Sequence, residues 1–242
     1  MCTVSFVPVN GKIIITSNRD EKMIRPAATP PTAKQTEMGT LYYPTDAKAG
    51  GTWFIANDRG DVGVLLNGAY TCHQPKPYYK ASRGSILPTI FNNESIIDHL
   101  HSFNFNEIEN CTLVLFIENK LYECIWDGDQ LIVKELDANQ SHIWSSVTLY
   151  TPKMIDERSA WFKQFMCENY TPTQNQLVHF HTNTGKGNEE YGLKMNRNNT
   201  MLTVSITSIE IKNKAEALLY YCNLINGQEV TSTINLLPII QL

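Results

Sequence analysis

The chain is poor in the features that would set it outside ordinary folded domains. No stretch reaches eighteen apolar residues, so no membrane span is expected. The N-terminus has no basic segment followed by an apolar run, so no secretory signal is expected. The twenty Lys and Arg residues are scattered rather than gathered into a tract, and the formal charge is −4, which gives no reason to expect nucleic acid or an acidic membrane as a partner. The six cysteines, Cys2, Cys72, Cys111, Cys124, Cys167 and Cys222, contain no Cys-x-x-Cys pair and are too sparse and irregular for a disulfide framework. Free thiols in a reducing compartment, the cytoplasm, are the expectation. No internal repeat or low-complexity tract is present, and nothing points to a homo-oligomer.

What remains is a globular composition: 242 residues, 42% hydrophobic, 18% charged and 10% aromatic. That length suits one domain over residues 1–242. The most informative stretch is the first. Two β-rich runs, Met1–Val9 and Lys12–Glu21, flank Asn10-Gly11, the strongest short-range hairpin signal. A two-residue loop sets the register: Val9 opposite Lys12, Phe6 opposite Ile15, Val4 opposite Ser17 and Cys2 opposite Arg19. If Met1 is removed, an α-amine with pKa about 8 stands beside a thiol with pKa about 8.5, and the amine can serve as base for the nucleophile on its own residue. Arg19 would favour the thiolate or bind a carboxylate, and Asp20 would orient the amine or Arg19. The same pattern also fits a small apolar cysteine in a strand followed by a surface turn.

Several short motifs occur in order: Met1-Cys2, Asn18-Arg19-Asp20-Glu21, Arg25-Pro26, Gly50-Gly51-Thr52-Trp53, Asn67 and Ser82-Arg83-Gly84. On these residues the chain resembles the NRDE family, the group that includes transport and Golgi organisation protein 2, most distinctively over residues 1–90. The resemblance implies an N-terminal nucleophile hydrolase-like fold, α+β in class, with an αββα sandwich of antiparallel sheets. It matches Cys2 to the nucleophile and Asn67 to an oxyanion donor. The catalytic set is then Cys2, Arg19, Asp20 and Asn67, and Asn18, Trp53, Tyr70, Arg83 and Ser146 are candidates for contacting a small-molecule substrate. The reaction implied is hydrolysis of a non-peptide amide without metal or cofactor. Some family members are linked to haem trafficking. This keeps open a non-catalytic binding or trafficking role in which Cys2, His73, His179 or His181 would ligate haem, non-covalently because no Cys-x-x-Cys-His motif exists, and beside it a metal-free small-molecule carrier with the aromatic loop at 70–79 as a stacking surface. The sequence does not decide whether the chain is an enzyme. Two departures from the family pattern stand out. Ser146 occupies a position where many members carry asparagine, and no arginine directly precedes the Ser/Thr-rich run at 203–208, Arg197 being the nearest.

The rest of the chain reads as alternating groups of strands and helices. The Pro-rich passage from Lys22 to Gly51 is expected to hold no long regular element, only a short strand near Thr40–Tyr43. A second hairpin follows around Asp58-Arg59-Gly60, then an aromatic loop at Tyr70–Tyr79. Helices are expected near Ile86–Ile90 and Glu94–Phe103, the latter capped by Asn92 or Asn93. A three-strand meander covers Cys111–Ile117, Leu121–Trp126 and Gln130–Leu136. A helix runs from Pro152 to about Cys167, with Arg158 on its solvated side, and another is capped by Thr171 with Gln174. His179 and His181 are expected to face solvent, and Asn183–Asn199 to form a polar loop. Three strands close the chain: Met201–Ile211, Ala215–Cys222 and Glu229–Ile234.

Overall fold

The computed structural model describes residues 3–106, 108–212 and 215–237. Two compact units share the chain: residues 1–25 with 139–235, and residues 26–138 with 236–242. Each is built on an antiparallel sheet, the α+β class expected from the segregation of strands and helices.

In the first unit, β1 (Thr3–Val9) and β2 (Lys12–Lys22) form the N-terminal hairpin. Its register is the one the turn dictates, with Val9 opposite Lys12, Phe6 opposite Ile15 and Val4 opposite Ser17. Asn10 and Gly11 both take positive φ, 50° and 74°, as a type I′ turn requires. In the second unit, β3 (Thr29–Thr36) and β4 (Gly39–Thr45) form another hairpin in the passage expected to be irregular. The prolines are accommodated because β3 is an edge strand, and the register shifts between Thr29 and Thr32, across Pro30-Pro31. Strands β5 (Phe54–Asn57) and β6 (Val62–Asn67) follow. After a 3-10 turn at Arg83–Ser85 come α1 (Ile86–Phe91) and α2 (Ile96–Ser102). Pro88 lies in the first turn of α1, where its missing N–H has no intrahelical partner to lose. The cap of α2 is Ser95, whose hydroxyl accepts from the Asp98 amide, rather than Asn92 or Asn93. Helix α1 covers β6 closely: a Cβ on Gly63 would stand 2.8 Å from Leu87 and Phe91. The meander β7 (Cys111–Ile117), β8 (Lys120–Trp126) and β9 (Leu131–Leu136) completes a sheet of order β3-β4-β5-β6-β7-β8-β9.

The chain then returns to the first unit. Strand β10 (His142–Ser145) pairs with β1 from Thr3 to Phe6 and stops short of Pro8, which has no N–H to offer it. Helix α3 (Pro152–Glu168) is capped by Thr151 with proline at its first position, and α4 (Gln174–Asn183) by a capping box of Thr173 and Gln176. The cap of α4 lies two residues beyond the expected Thr171. A short pairing segment, β11 (Asn196–Arg197), leads to β12 (Met201–Ile211), β13 (Glu216–Asn223) and β14 (Glu229–Asn235). The sheet order is β10-β1-β2-β12-β13-β14, with β11 beside β12. Val7 and Ile14 from the hairpin pack with Phe162 of α3, Leu177 and Phe180 of α4, and Leu193, so both helices cover one face of this sheet. Residues directly opposite one another share a face, so Thr3, Ser5, Thr16, Asn18 and Asp20 point to the same helical side as Val7 and Ile14. Arg19 and Ser17 point to the other. Among the described residues, no helix is long and apolar enough to cross a membrane.

Candidate active site

The expected pairing of Cys2 with Arg19 falls outside the described residues, since Cys2 and Met1 precede Thr3. Thr3 stands opposite Asn18. The central place of β2 follows from its partners: β1 on one edge and β12 on the other, with Asp20 opposite Thr203 and Arg19 opposite Ser205. A bulge lies between Thr203 and Ser205, so the strand bends where it passes Asp20 and Arg19.

Asp20 is 3% exposed and held from two directions. The Tyr150 hydroxyl donates to Oδ2 at 2.6 Å, and the Thr203 hydroxyl donates to Oδ1 at 2.5 Å. Two donors, one on each oxygen, fix the plane of the carboxylate. Tyr150 is itself fixed. It precedes the Thr151 cap of α3 and packs with Ile155, a hydrophobic staple across the helix start. Its ring lies against the guanidinium of Arg158 at 3.5 Å from the centroid, and Arg197 approaches the same ring at 5.4 Å. Arg197 also donates to the carbonyl oxygens of Glu190 (2.9 Å) and Leu149 (2.8 Å).

Arg158 is fully buried, contrary to the solvated position expected on α3. Its Nη1 donates to the Thr3 hydroxyl at 2.5 Å, Nε to the Tyr191 carbonyl at 2.9 Å and Nη2 to the Gly192 carbonyl at 2.9 Å. Beside this group lies a second buried network. Asn18 Nδ2 donates to the carbonyl oxygens of Leu193 (2.6 Å) and His181 (3.1 Å), which fixes the amide so that Oδ1 faces His181 Nδ1 at 2.7 Å. Nδ1 must then carry the proton, and Nε2 accepts from the Ser5 hydroxyl at 2.8 Å. Burial, and then the nearby Arg158 charge, push the His181 pKa down to about 3, so the ring is neutral. Asn18 thus spends its two amide N–H groups joining β2 to the end of α4 and to the loop that follows it. That loop, expected to be polar, buries Leu193 and Met195.

Arg19 is 3% exposed and shares the Glu21 carboxylate with Arg25, at 3.6 and 3.5 Å. Ser146 is buried, its hydroxyl 2.9 Å from that of Thr148, and its carbonyl oxygen accepts from the Leu149 and Tyr150 amides. Thus Asn18, Arg19, Asp20 and Ser146 all belong to the first unit.

The other candidates belong to the second unit. Asn67 ends β6 opposite Cys111, followed by Gly68 at φ 88°, and is half-buried. Arg83 Nη2 pairs with Glu109 at 2.9 Å, and its Nη1 donates to the Asn110 carbonyl at 3.1 Å. Trp53 is 2% exposed, whereas Tyr70 is 54% exposed on its loop. The motifs Gly50-Gly51-Thr52-Trp53 and Ser82-Arg83-Gly84 meet backbone to backbone. The Thr52 amide donates to the Gly84 carbonyl at 2.9 Å, and a Cβ on Gly51 would lie 2.5 Å from that group. Glycine at position 51 is therefore a requirement of close approach.

The described cysteines, Cys72, Cys111, Cys124, Cys167 and Cys222, are free thiols. Burial pushes the Cys111 thiol up to about 12 and raises that of Cys124, which leaves both strand thiols protonated and inert. Both ring nitrogens of His181 are engaged inside the network above, His179 is exposed on the same helix, and His73 lies 3.4 Å from the Glu109 carboxylate. Among the described residues no group of three His, Cys, Asp or Glu side chains is arranged to hold a metal ion.

Sequence reasoning passed over Tyr150 and misplaced Arg158 and His181. The signal for Arg158 was spacing: it stands three residues after Ile155 and four before Phe162, on the apolar stripe of α3. The signal for His181 was its place four residues after Leu177, on the buried face of α4.

Solved structures with a similar fold include the alanine mutant of the cysteine at position 2 of a conjugated bile acid hydrolase from Clostridium perfringens. Identity there is 11%, the TM-score 0.60, and the match covers 96% of this chain and 92% of that one. An arginine-to-leucine variant of the same enzyme matches with 13% identity, TM-score 0.54 and coverage of 96% and 92%. A Caenorhabditis elegans orthologue of N-acylethanolamine-hydrolysing acid amidase matches with 15% identity, TM-score 0.58 and coverage of 86% and 92%. These likenesses show the fold: antiparallel sheets flanked by helices, in the αββα arrangement of N-terminal nucleophile hydrolases. Comparison with the sequences of curated proteins gives no match. The family described as Transport and Golgi organisation 2 (TANGO2) matches residues 1–222, and the chain is a member of that family.

Proposed function

We propose that the chain is a cysteine N-terminal nucleophile hydrolase that cleaves a non-peptide amide after removal of Met1. The observation that carries this reading is the β1–β2 register joined to the clamp on Asp20. Thr3 stands opposite Asn18, the residue before the Arg19-Asp20 pair, and Asp20 is held by Tyr150 and Thr203. In the reaction, Cys2 Sγ attacks the amide carbonyl and its own α-amine takes the thiol proton. The amine returns that proton to the leaving nitrogen, and the C–N bond breaks to give a thioester and a free amine. Water then attacks the thioester, the α-amine again relaying the proton, and the acid leaves with Cys2 restored. Arg19 favours the thiolate or anchors an anionic group on the substrate, and Asp20 orients the amine.

The similar solved proteins lend support. One is by name an acid amidase for N-acylethanolamines, and the other was studied as mutants of a cysteine at position 2 and of an arginine.

The test begins with the intact mass of protein isolated from cells, expected to be short by one methionine. A panel of N-acylethanolamines and N-acyl amino acids is then assayed for release of the amine. Cys2→Ser is expected to lose most turnover while keeping the fold, and one extra residue ahead of Cys2 to abolish turnover while leaving the thiol in place. Full amidase activity with Met1 retained would exclude the amine as base.

A further inference from the structure

We propose that residues 70–82 form a strap that closes down as pH falls, with His73 as the latch and the Glu109 carboxylate, already held by Arg83, as the catch. The strap stands on the geometry of the second unit alone. Its bearing on turnover rests on the hydrolase reading above, because the strap follows Asn67-Gly68 at the end of β6 and carries Tyr70.

Three observations carry it. First, the strap is fixed at its ends and loosely held between them. The Gly68 amide donates to the Asn110 carbonyl at 3.0 Å, the Gly68 carbonyl accepts from the Thr112 hydroxyl at 2.9 Å, and at the far end Ser82 caps the turn at Arg83–Ser85. From 70 to 82 the chain forms neither helix nor strand, His73 and Tyr79 are half-buried, and the other residues are exposed. Among the described residues the hydrogen bonds of 70–81 stay inside the strap: the Lys76 amide donates to the Tyr79 hydroxyl at 2.8 Å, and the Cys72 thiol lies 4.0 Å from the His73 carbonyl. A segment with so few bonds to its surroundings opens at low cost. Second, His73 turns inward. Both ring nitrogens are buried and make no hydrogen bond, and Nε2 lies 3.4 Å from Glu109 Oε1. A neutral ring loses its water at both nitrogens there and gains no bond in return. A ring that carries a second proton faces a carboxylate at ion-pair distance instead. Third, the catch is shared. Arg83 Nη2 holds the other carboxylate oxygen, Oε2, at 2.9 Å, and Nη1 holds the Asn110 carbonyl at 3.1 Å. Arg83 thus keeps Glu109 in place with the strap up or down, and its like charge keeps the latch weak enough to release.

The groups around His73 set the sign. Glu109, just ahead of β7, attracts a protonated ring, and Arg83, in the turn after the strap, opposes it. Cys111, at the start of β7, feels both of those charges, but burial pushes its thiol up to about 12 and it stays neutral. On the strap itself Tyr70, Cys72, Lys76, Tyr78 and Lys80 are exposed, and the Tyr79 hydroxyl is engaged by the Lys76 amide. The ion pair exists only while the strap lies down, because a raised His73 stands in water away from Glu109. Closure is therefore strongest when the ring is charged, and it weakens as pH rises and the ring gives up its proton. Between pH 5 and 8 histidine is the side chain that ordinarily changes charge. A partly exposed ion pair of this kind changes a local equilibrium by about 2- to 5-fold.

The test uses the full chain and reads strap opening by limited digestion with proteinase K at pH 6 and pH 8, the cuts being mapped by mass. A synthetic peptide of residues 69–82, digested under the same conditions, corrects for the pH dependence of the protease. After that correction, cutting within 70–82 is expected to be about 2- to 5-fold faster at pH 8 than at pH 6. His73→Gln keeps a polar side chain that cannot take a charge, and its ratio is expected to fall to about one, with cutting at pH 6 as fast as in wild type at pH 8. A flat ratio in wild type, or a wild-type ratio in His73→Gln, overturns the latch. Glu109→Gln leaves His73 in place and removes the charge it meets, so it separates ion pairing from packing. It is expected to flatten the ratio as well, and a surviving ratio overturns the pairing. Should Glu109→Gln not fold, His73→Gln, whose change lies on the strap, decides. Proteolysis needs no turnover. Absence of amide hydrolysis with the digestion ratio intact sinks the hydrolase reading and leaves the strap standing, whereas a flat ratio in an active amidase removes the strap alone.

Discussion

Burial of a neutral histidine makes a specific prediction about pH. His181 donates from Nδ1 to Asn18 and accepts at Nε2 from Ser5, so a second proton would have to displace the Ser5 hydroxyl hydrogen next to the Arg158 charge. The folded-state pKa is pushed down to about 3 by burial and by Arg158, whereas in the unfolded chain it returns to the ordinary value of 6.5. Between those limits the unfolded state binds the extra proton and the folded state does not. Stability from this group is therefore fully present above the unfolded value and falls as pH drops toward the folded value, by about 1.4 kcal/mol per unit once well below 6.5. At pH 5 the loss relative to pH 8 comes to about 2 kcal/mol, a large part of the 5–15 kcal/mol that holds a typical domain folded. Urea unfolding at pH 8, 7, 6 and 5, with the midpoint read at constant slope, measures it. Five other histidines and the carboxylates also titrate, so the control is His181→Gln. That variant is weaker at neutral pH by about 1–3 kcal/mol, because Ser5 or Asn18 loses its partner, but it lacks the His181 component of the slope. The wild-type and variant curves should converge as pH falls from 7 to 5. Parallel curves over that range would refute the assignment of a neutral, Nδ1-protonated His181.

Two further outcomes follow from close packing in the second unit. Gly51→Ala places a Cβ 2.5 Å from the Gly84 carbonyl group, backbone against backbone, and should cost about 1–3 kcal/mol or more, visible as a lower urea midpoint. Alkylation of the folded protein at pH 8, mapped by mass, should modify exposed Cys72 and Cys167 well before Cys111 and Cys124, whose thiols are buried and raised in pKa. Equal rates for all four in folded protein would contradict the strand positions of the last two.

The features legible in the sequence were those set by neighbours along the chain. Asn10-Gly11 dictates a two-residue primed turn, and the period-2 alternation of side chains then carries the register outward to Thr3 and Asn18 without further information. The meander from Cys111 to Leu136 was readable for the same reason, with Glu118 and Asn119 both at positive φ between β7 and β8. The helix cap at Thr151-Pro152 is equally local.

What tertiary structure alone decided concerns partners far apart in the chain. Thr203 meets Asp20 across 183 residues, and His181 meets Ser5 across 176. No local pattern encodes either meeting, because both depend on β12 pairing with β2 and on α4 lying over that sheet. The prolines at 30 and 31 read as strand breakers, yet β3 is an edge strand and has a free side where a missing N–H costs nothing. Arg158 read as a solvated helix arginine because charge is the dominant sequence signal at such a position. The folded chain brings it the Tyr150 face, two carbonyl oxygens and the Thr3 hydroxyl, enough to hold a buried cation. Composition reports the cost of burying an arginine, and only the assembled structure supplies the acceptors that offset it.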